Sequence, residues 1–307
     1  MPRIVTLTVN PVVDKSSAVD RVIAEVKLRC QEPTFEPGGG GINVARAIDE
    51  LGGRALAIWT CGGWTGKMLH ELLDHEGIEQ LPLPISGTVR ENLIVVEEST
   101  TQQYRFGMPG PRLNVDEVQA CLEAIRQLDP KPDFLVASGS LPPGVDADFY
   151  SRVVREAPAG CRVIVDTAGE ALKLAIRSGV YLIKPNLREL SHLAGRPLED
   201  DAHIQRTARQ LISGGHVEVV VVSLGSGGVM LITAETTLHV RSPTVPILSK
   251  VGAGDSTVAG MVLRLSQGDS IEQAARFGVA AGAAAVMTPG TRLCRREDAE
   301  RLFARMP

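Results

Sequence analysis

GGGGINVARAIDELGGRALAIWT, residues 38–60, sets the fold. Four glycines lead into Ile42–Leu51, whose apolar spacing predicts a helix, and Gly52-Gly53 close it. Ala55–Thr60 then reads as a short apolar strand. The rhythm extends both ways. Ile4–Val9, bounded by Asn10-Pro11, is an opening strand, and Gly66–Glu76 is a helix stopped by Gly77. Further strands are read at Phe134–Ala137, Arg162–Val165, Tyr181–Ile183 and Val217–Val222. Helices are read at Ala147–Glu156, Glu170–Arg177, Glu189–Leu193 and Ala202–Ser213. Short apolar strands alternating with helices imply an α/β fold with a mainly parallel sheet covered on both faces. No internal repeat or low-complexity linker interrupts it, so 1–307 is read as one domain.

Two stretches break the rhythm. Val12–Phe35 holds no amphipathic helix, and Val89–Phe106 alternates apolar and polar residues around a polar turn. Together they are read as a small antiparallel flap, or lid, inserted at about 12–36 and 87–107. Its apolar face needs cover, and a homodimer joined through the lid is expected.

Composition excludes several classes. Lys+Arg 32 against Asp+Glu 36 give a net charge of −4, opposite in sign to a sequence-blind nucleic-acid binder. No run approaches the roughly 18 apolar residues of a membrane helix. Neither a nucleic-acid nor a membrane partner is expected. Cys30, Cys61, Cys121, Cys161 and Cys294 are odd in number and lack C-x-x-C spacing, so reduced thiols in a cytoplasmic protein are expected. The six histidines show no metal-ligand spacing, and Trp59 and Trp64 are read as packing residues. Phosphate motifs narrow the chemistry. Gly66-Lys67 is followed by Met68 and the position five before Gly66 is Cys61, which breaks a Walker A loop. The dinucleotide fingerprint G-x-G-x-x-G fails at Asn43 and again at Met230.

Val251-Gly252-Ala253-Gly254-Asp255-Ser256 precedes a helical pattern from Thr257 to about Leu265. Small residues there leave successive N–H groups open at a helix start, with the Asp255 carboxylate beside them. That layout suits phosphoryl transfer, with amides holding charge and a carboxylate taking a proton. Taken alone, Asp255 reads equally as an N-cap.

This hexapeptide and the glycine loop within Glu36–Ala45 resemble the two signatures of the ribokinase-like sugar kinases, the PfkB family. Thr6-Leu7-Thr8 with Pro11 and Asp14, Lys27-Leu28-Arg29, Gly139–Gly144, Lys184-Pro185-Asn186 with Glu189, and Gly290-Thr291-Arg292 fall in family order. The resemblance implies a ribokinase-like three-layer α/β/α domain. It also implies an ATP- and Mg²⁺-dependent kinase of the phosphosugar branch, phosphorylating the 1-hydroxyl of fructose 6-phosphate. Tagatose 6-phosphate or fructose 1-phosphate as acceptor, and a non-catalytic sugar-phosphate sensor, are the alternatives.

By the same resemblance Asp255 is the catalytic base and Gly252, Ala253 and Gly254 form the anion hole. The helix dipole is expected to keep Asp255 ionised and weakly basic. Asp14, Gly38, Gly39 and Asn43 hold sugar hydroxyls, although Asp14 also suits an Asx turn and Asn43 a polar helix start. Lys27, Arg90 and Ser138 bind the substrate phosphate and Arg105 the sugar, although flap charges also guard strand edges. Arg29 stays unassigned. Lys184 and Asn186 touch nucleotide phosphates, and Glu189 acts through water on Mg²⁺; Asn186 and Glu189 also suit a capping box. Ser223, Gly225, Gly227 and Gly228 lie under ATP. Ala280 and Ala283, on the small-residue helix Gly278–Ala285, face adenine, or simply pack. Ser249, Val251, Ala285, Thr288, Gly290 and Arg292 are positions for a monovalent cation such as K⁺.

Overall fold

The structure, a computed structural model, describes residues 3–306. The chain begins with β1 (Ile4–Thr8), β2 (Val12–Val19), β3 (Thr34–Gly38) and α1 (Gly40–Glu50). β4 (Ala55–Cys61), α2 (Gly63–His75), β5 (Gln80–Pro84), β6 (Arg90–Glu97) and β7 (Gln102–Phe106) follow. Next come α3 (Val115–Arg126), β8 (Phe134–Ser138), α4 (Phe149–Glu156), β9 (Arg162–Asp166), α5 (Gly169–Ile176) and β10 (Val180–Ile183). The remainder is α6 (Leu187–Ala194), α7 (Asp201–Ser213), β11 (Val217–Ser223), β12 (Val229–Ile232), β13 (Thr237–Val240), α8 (Ala253–Ser266), α9 (Ile271–Ala285) and α10 (Arg296–Phe303).

A nine-stranded sheet has the order β13-β12-β11-β10-β9-β8-β1-β4-β5. Every pair from β11 to β5 is parallel, whereas β12 and β13 form an antiparallel edge. Because strand side chains alternate faces, two cores result. Ile4, Phe134, Val136, Val219 and Val221 pack with α1, α8 and α9 on one side. Val5, Leu7, Leu135, Val220 and Val222 pack with α3, α4, α5 and α7 on the other. This is the expected three-layer arrangement, and Trp59 is fully buried within it.

The lid differs from expectation in strand direction. It is a four-stranded sheet, β3-β2-β6-β7, whose central pair β2–β6 is parallel, starting at Val12 opposite Arg90. Both strands set out from the main sheet, one after β1 and one after β5, so they run outward side by side; β3 and β7 return antiparallel to them. Trp64 also departs from its reading as a packing residue: it is 83% exposed at the start of α2, with the Lys67 ammonium 4.8 Å from its ring. No described helix is long and apolar enough to cross a membrane.

Candidate active site

Parallel strands aim their C-terminal ends, and the loops after them, at one edge of the sheet, where ligands of open α/β sheets bind. The two glycine motifs meet there. In the first, side chains would collide with the sheet: a Cβ on Gly41 would lie 2.6 Å from the Leu7 carbonyl oxygen, and one on Gly40 would strike Ser138 Oγ. Gly39 adopts φ 114° and precedes α1, whose Ile42 N–H donates to Thr8 Oγ1 at 2.8 Å. Arg46 braces this turn from behind, donating to the Pro37 carbonyl at 2.9 Å and pairing with Glu76 at 2.5 Å.

The second motif starts α8 earlier than the sequence pattern suggested, at Ala253 rather than Thr257. Gly252 is its N-cap in the left-handed region, φ 74°, a conformation glycine takes without a Cβ penalty. No side chain caps the helix, so the first amides of Ala253 and Gly254 stay available to an anion. Asp255 therefore does not serve as the N-cap. Instead its Oδ2 accepts from Asn43 Nδ2 at 2.8 Å, joining the starts of α1 and α8.

The electrostatics of Asp255 overturn one expectation. Burial pushes its carboxyl up to about 6, and the nearby Asp166 carboxylate adds to the rise; the Asn43 hydrogen bond and the Lys184 charge only moderate it. Asp255 thus stays ionised at neutral pH, as expected, but is a stronger base than expected, because desolvation favours its protonated form. Lys184 is itself buried, with Nζ 3.5 Å from Asp166 Oδ2. Burial opposes its charge, but Asp166, Asp255 and Glu189 together hold its pKa above the ordinary lysine value. A Cβ on Gly254 would lie 3.3 Å from Lys184 Nζ, so the ammonium sits against the anion-hole turn.

Around Lys184, Ser223 N–H donates to the Pro185 carbonyl at 2.9 Å, and an isolated bridge joins Asn186 to Ser223. Asn186 and Glu189 form a reciprocal capping box, each donated to by the other's amide at 2.9 Å. Gly225 and Gly227 form an exposed 3₁₀ turn, whereas Gly228 is buried beneath Val240 and Ser242. Ala280 is fully buried and Ala283 is 5% exposed, so the structure reads their small size as packing and closes Ala280 to adenine. Gly278 and Gly282 on the same helix face Thr257 of α8.

At the sugar end, Asp14 is buried beside Gly38, and its Oδ1 accepts from Asn92 Nδ2 at 2.9 Å. Burial raises its pKa; the Asn92 bond and the charges of Arg105 and Arg90 work against that rise, and Glu36 adds to it. Arg90 donates to the carbonyls of Met108 at 3.1 Å and Asn10 at 3.2 Å, while its Nε is buried without a partner. Lys27 lies exposed in the loop between β2 and β3 and, among the described residues, makes no hydrogen bond or ion pair; Arg29 is exposed there too. Ser138 does not match its expected role. It is 2% exposed, with Oγ beneath Gly40. Two residues on, Ser140 is exposed and accepts from Asn10 Nδ2 at 3.0 Å, so the free hydroxyl of this loop belongs to Ser140.

Reading by sequence missed Asn92, Ser140 and Asp166. Asp166 carried a signal as a carboxylate closing the apolar strand Arg162–Asp166 on the ligand edge, and Ser140 lies within the Gly139–Gly144 motif. Among the described residues no group of three or more His, Cys, Asp or Glu is arranged to hold a metal. Mg²⁺ keeps several waters and binds through one or two carboxylates plus phosphates, and Asp166 and Glu189 flank Lys184. The expected monovalent-cation positions lie on two neighbouring segments, Ser249 and Val251 before α8 and Ala285 to Arg292 at and after the end of α9. Thr288 Oγ1 lies 2.7 Å from the carbonyl oxygens of both Ala285 and Arg292, Val251 N–H donates to Ser249 Oγ at 3.2 Å, and Ser249 N–H donates to the Val286 carbonyl at 3.3 Å. Thr291 ties the turn to the lid base, donating to Glu36 Oε2 at 2.5 Å, with Gly290 alongside. The carbonyl oxygens of Ala285 and Arg292, both within reach of Thr288 Oγ1, are the ligand type an alkali cation takes.

The family model described as pfkB family carbohydrate kinase matches residues 6–298. ATP-dependent 6-phosphofructokinase isozyme 2 of Escherichia coli is 44% identical over 306 residues, covering 99% of both chains. The isozyme 2 protein of Mycobacterium tuberculosis is 45% identical over 307 residues, 98% of this chain and 89% of that one. A 1-phosphofructokinase of Xanthomonas campestris is more distant, 31% identical over 282 residues, 90% of this chain and 88% of that one. Phosphofructokinase-2 from E. coli in complex with potassium superposes with a TM-score of 0.95 at 44% identity, and in complex with fructose-6-phosphate with 0.94 at 42%, each covering 99% of both chains.

Proposed function

The chain belongs to the pfkB family of carbohydrate kinases, and from that premise we propose that it transfers the terminal phosphoryl group of ATP to the 1-hydroxyl of fructose 6-phosphate, a glycolytic reaction. The observation that carries the chemistry is Asp255, a carboxylate with a pKa near 6 beside open amides and Lys184. Such a group is ionised at neutral pH yet more basic than an exposed aspartate. The sugar O1 bonds to the γ-phosphorus while its proton passes to Asp255. The bond from phosphorus to the bridging oxygen breaks, and ADP leaves with that electron pair. The amides of Gly252, Ala253 and Gly254 face the charge on the group in transfer.

Lys184, Asn186, Ser223 and the Gly225–Gly227 turn receive the nucleotide phosphates. Mg²⁺ on the triphosphate supplies charge neutralisation, with Asp166 and Glu189 placed to hold its waters. K⁺ is assigned to the positions Ser249, Val251, Ala285, Thr288, Gly290 and Arg292, on two neighbouring segments beside α8. Asp14, Asn43, Gly38 and Gly39 take sugar hydroxyls, with Arg105 beside them. Arg90, Lys27 and Ser140 take the 6-phosphate at the mouth.

This polarity orders the acceptors. Fructose 6-phosphate places C1 at Asp255 with its phosphate outward, and tagatose 6-phosphate does so with a changed C4. Fructose 1-phosphate must turn end for end. The expected order of kcat/KM is therefore fructose 6-phosphate, tagatose 6-phosphate, fructose 1-phosphate. A panel of these three at fixed MgATP tests it, and fructose 1-phosphate as the best acceptor would overturn the orientation. Two further assignments rest on the lid and on composition. The loop between β2 and β3 exposes Ile23 (52%) and Val26 (58%), which we assign to a homodimer contact. Five unpaired cysteines suit a reducing cytoplasm.

A further inference from the structure

We propose that Asn10 is a positioning residue that fixes the hydrogen-bonding polarity of Ser140, so that this hydroxyl can only donate to the ligand; the inference rests on the phosphate-end assignment above. Asn10 follows β1 and is 6% exposed. Three segments converge on it. Its Nδ2 donates to Ser140 Oγ at 3.0 Å, its backbone carbonyl accepts from Arg90 Nη2 at 3.2 Å, and its Oδ1 is buried against Gly110, where a Cβ would collide with it.

The Oδ1 atom has no partner. Turning the amide over would leave a buried two-proton NH₂ unpaired in its place, a worse outcome than one idle acceptor. The amide therefore donates to Ser140. A serine hydroxyl carries one proton. Once its lone pair receives the Asn10 N–H, that proton is free to point outward, and among the described residues Ser140 makes no other side-chain hydrogen bond. An anion arriving beside Arg90 thus meets a donor. Arg90 itself is held through the Asn10 backbone, so side-chain variants leave its anchor in place.

Asn10→Asp tests this. An ionised aspartate only accepts, so it would draw the Ser140 proton inward and turn a lone pair toward the substrate phosphate. We expect KM for fructose 6-phosphate to rise by about 10–100-fold, with KM for MgATP and kcat little changed. Asn10→Ala frees Ser140 to rotate and should raise the same KM by only about 2–5-fold. In a Ser140→Ala background the part of the Asn10→Asp penalty that runs through the hydroxyl should vanish, leaving only the charge repulsion the new carboxylate adds beside Arg90. A purely structural role would instead lower the melting temperature and impair both substrates in all variants, which overturns the inference. So does Asn10→Asp with native KM while Ser140→Ala is impaired, because the amide would then be accepting from Ser140. Ser140→Ala with unchanged KM for fructose 6-phosphate would overturn the phosphate-end assignment instead. Should Asn10→Asp fail to fold, Asn10→Ala with a MgATP-side defect equal to its sugar-side defect is the disproof.

Discussion

Asp255 and Asp14 are both carboxylates lifted by burial, yet their neighbours differ in sign. Asp255 has a second carboxylate, Asp166, pushing it further up, against one ammonium and one amide. Asp14 has an amide and two guanidinium groups pulling it down, against Glu36. Their supports differ as well. Asp255 rides on the first turn of α8, half-buried at the ligand edge of the main sheet, whereas Asp14 lies buried on β2, paired to Glu36 and Asn92 within the lid. The contrast separates proton transfer from recognition. A base must be poised near the working pH, while a hydroxyl acceptor must stay ionised and fixed.

The sharpest way to break this contrast is at the base. Asp255→Asn keeps the shape but cannot take a proton, so kcat should fall by about 10²–10⁴ with KM for fructose 6-phosphate largely retained. Steady-state rates showing near-native kcat would remove Asp255 from the chemistry.

At the other end the balance should invert. Arg90→Ala removes a charge that serves ground and transition states alike, so KM for fructose 6-phosphate should rise by about 10–100-fold while kcat changes little. An unchanged KM would detach Arg90 from the phosphate. One step further out, Val26→Asp places a charge on the exposed lid loop. Sedimentation velocity should show self-association weakened by about tenfold or more; an unaffected mass distribution would put the assembly contact elsewhere.

The pH profile sharpens the electrostatic half of the comparison. Asp255 must be ionised to act, so kcat should fall as pH drops through about 6. Asp166→Asn removes the carboxylate that raises it, and the acid limb should move to lower pH by about 1 unit. A limb that stays put would mean that burial alone sets the value. The smallest effect concerns stability. The folded pKa of Asp255 lies above its unfolded one, so at pH 8 its charge opposes folding, and this cost fades as pH falls below about 6 and the folded form takes up a proton. Asp255→Asn should therefore melt a few degrees higher than the parent at pH 8, with the gap narrowing toward pH 5 by calorimetry.

Legibility followed the range of the signal. The glycine turns, the strand–helix rhythm and the Asn186/Glu189 cap lie within a few consecutive residues, where backbone sterics and capping act. Yet α3 escaped notice although Asn114 and Glu117 form the same kind of box at its start. Of the strands not legible in the sequence, β5 carries prolines, and β12 and β13 form an antiparallel edge outside the strand–helix rhythm. Ser138 and Ser140 follow the same apolar strand, and spacing along the chain does not tell them apart. Only the approach of Gly40 buries the first and leaves the second open.

A mainly parallel α/β sheet with two glycine-opened helices is legible in the sequence, because local sterics and apolar period are written in neighbouring residues; the phosphorylated ligand is legible only through the family resemblance. Tertiary structure alone decided the parallel pairing of β2 with β6, the burial that lifts Asp255 to about 6, and the meeting of Asp166 with Lys184 and of Asn10 with Ser140. Desolvation and charge depend on which distant groups come within a few ångströms, a distance that spacing along the chain does not encode.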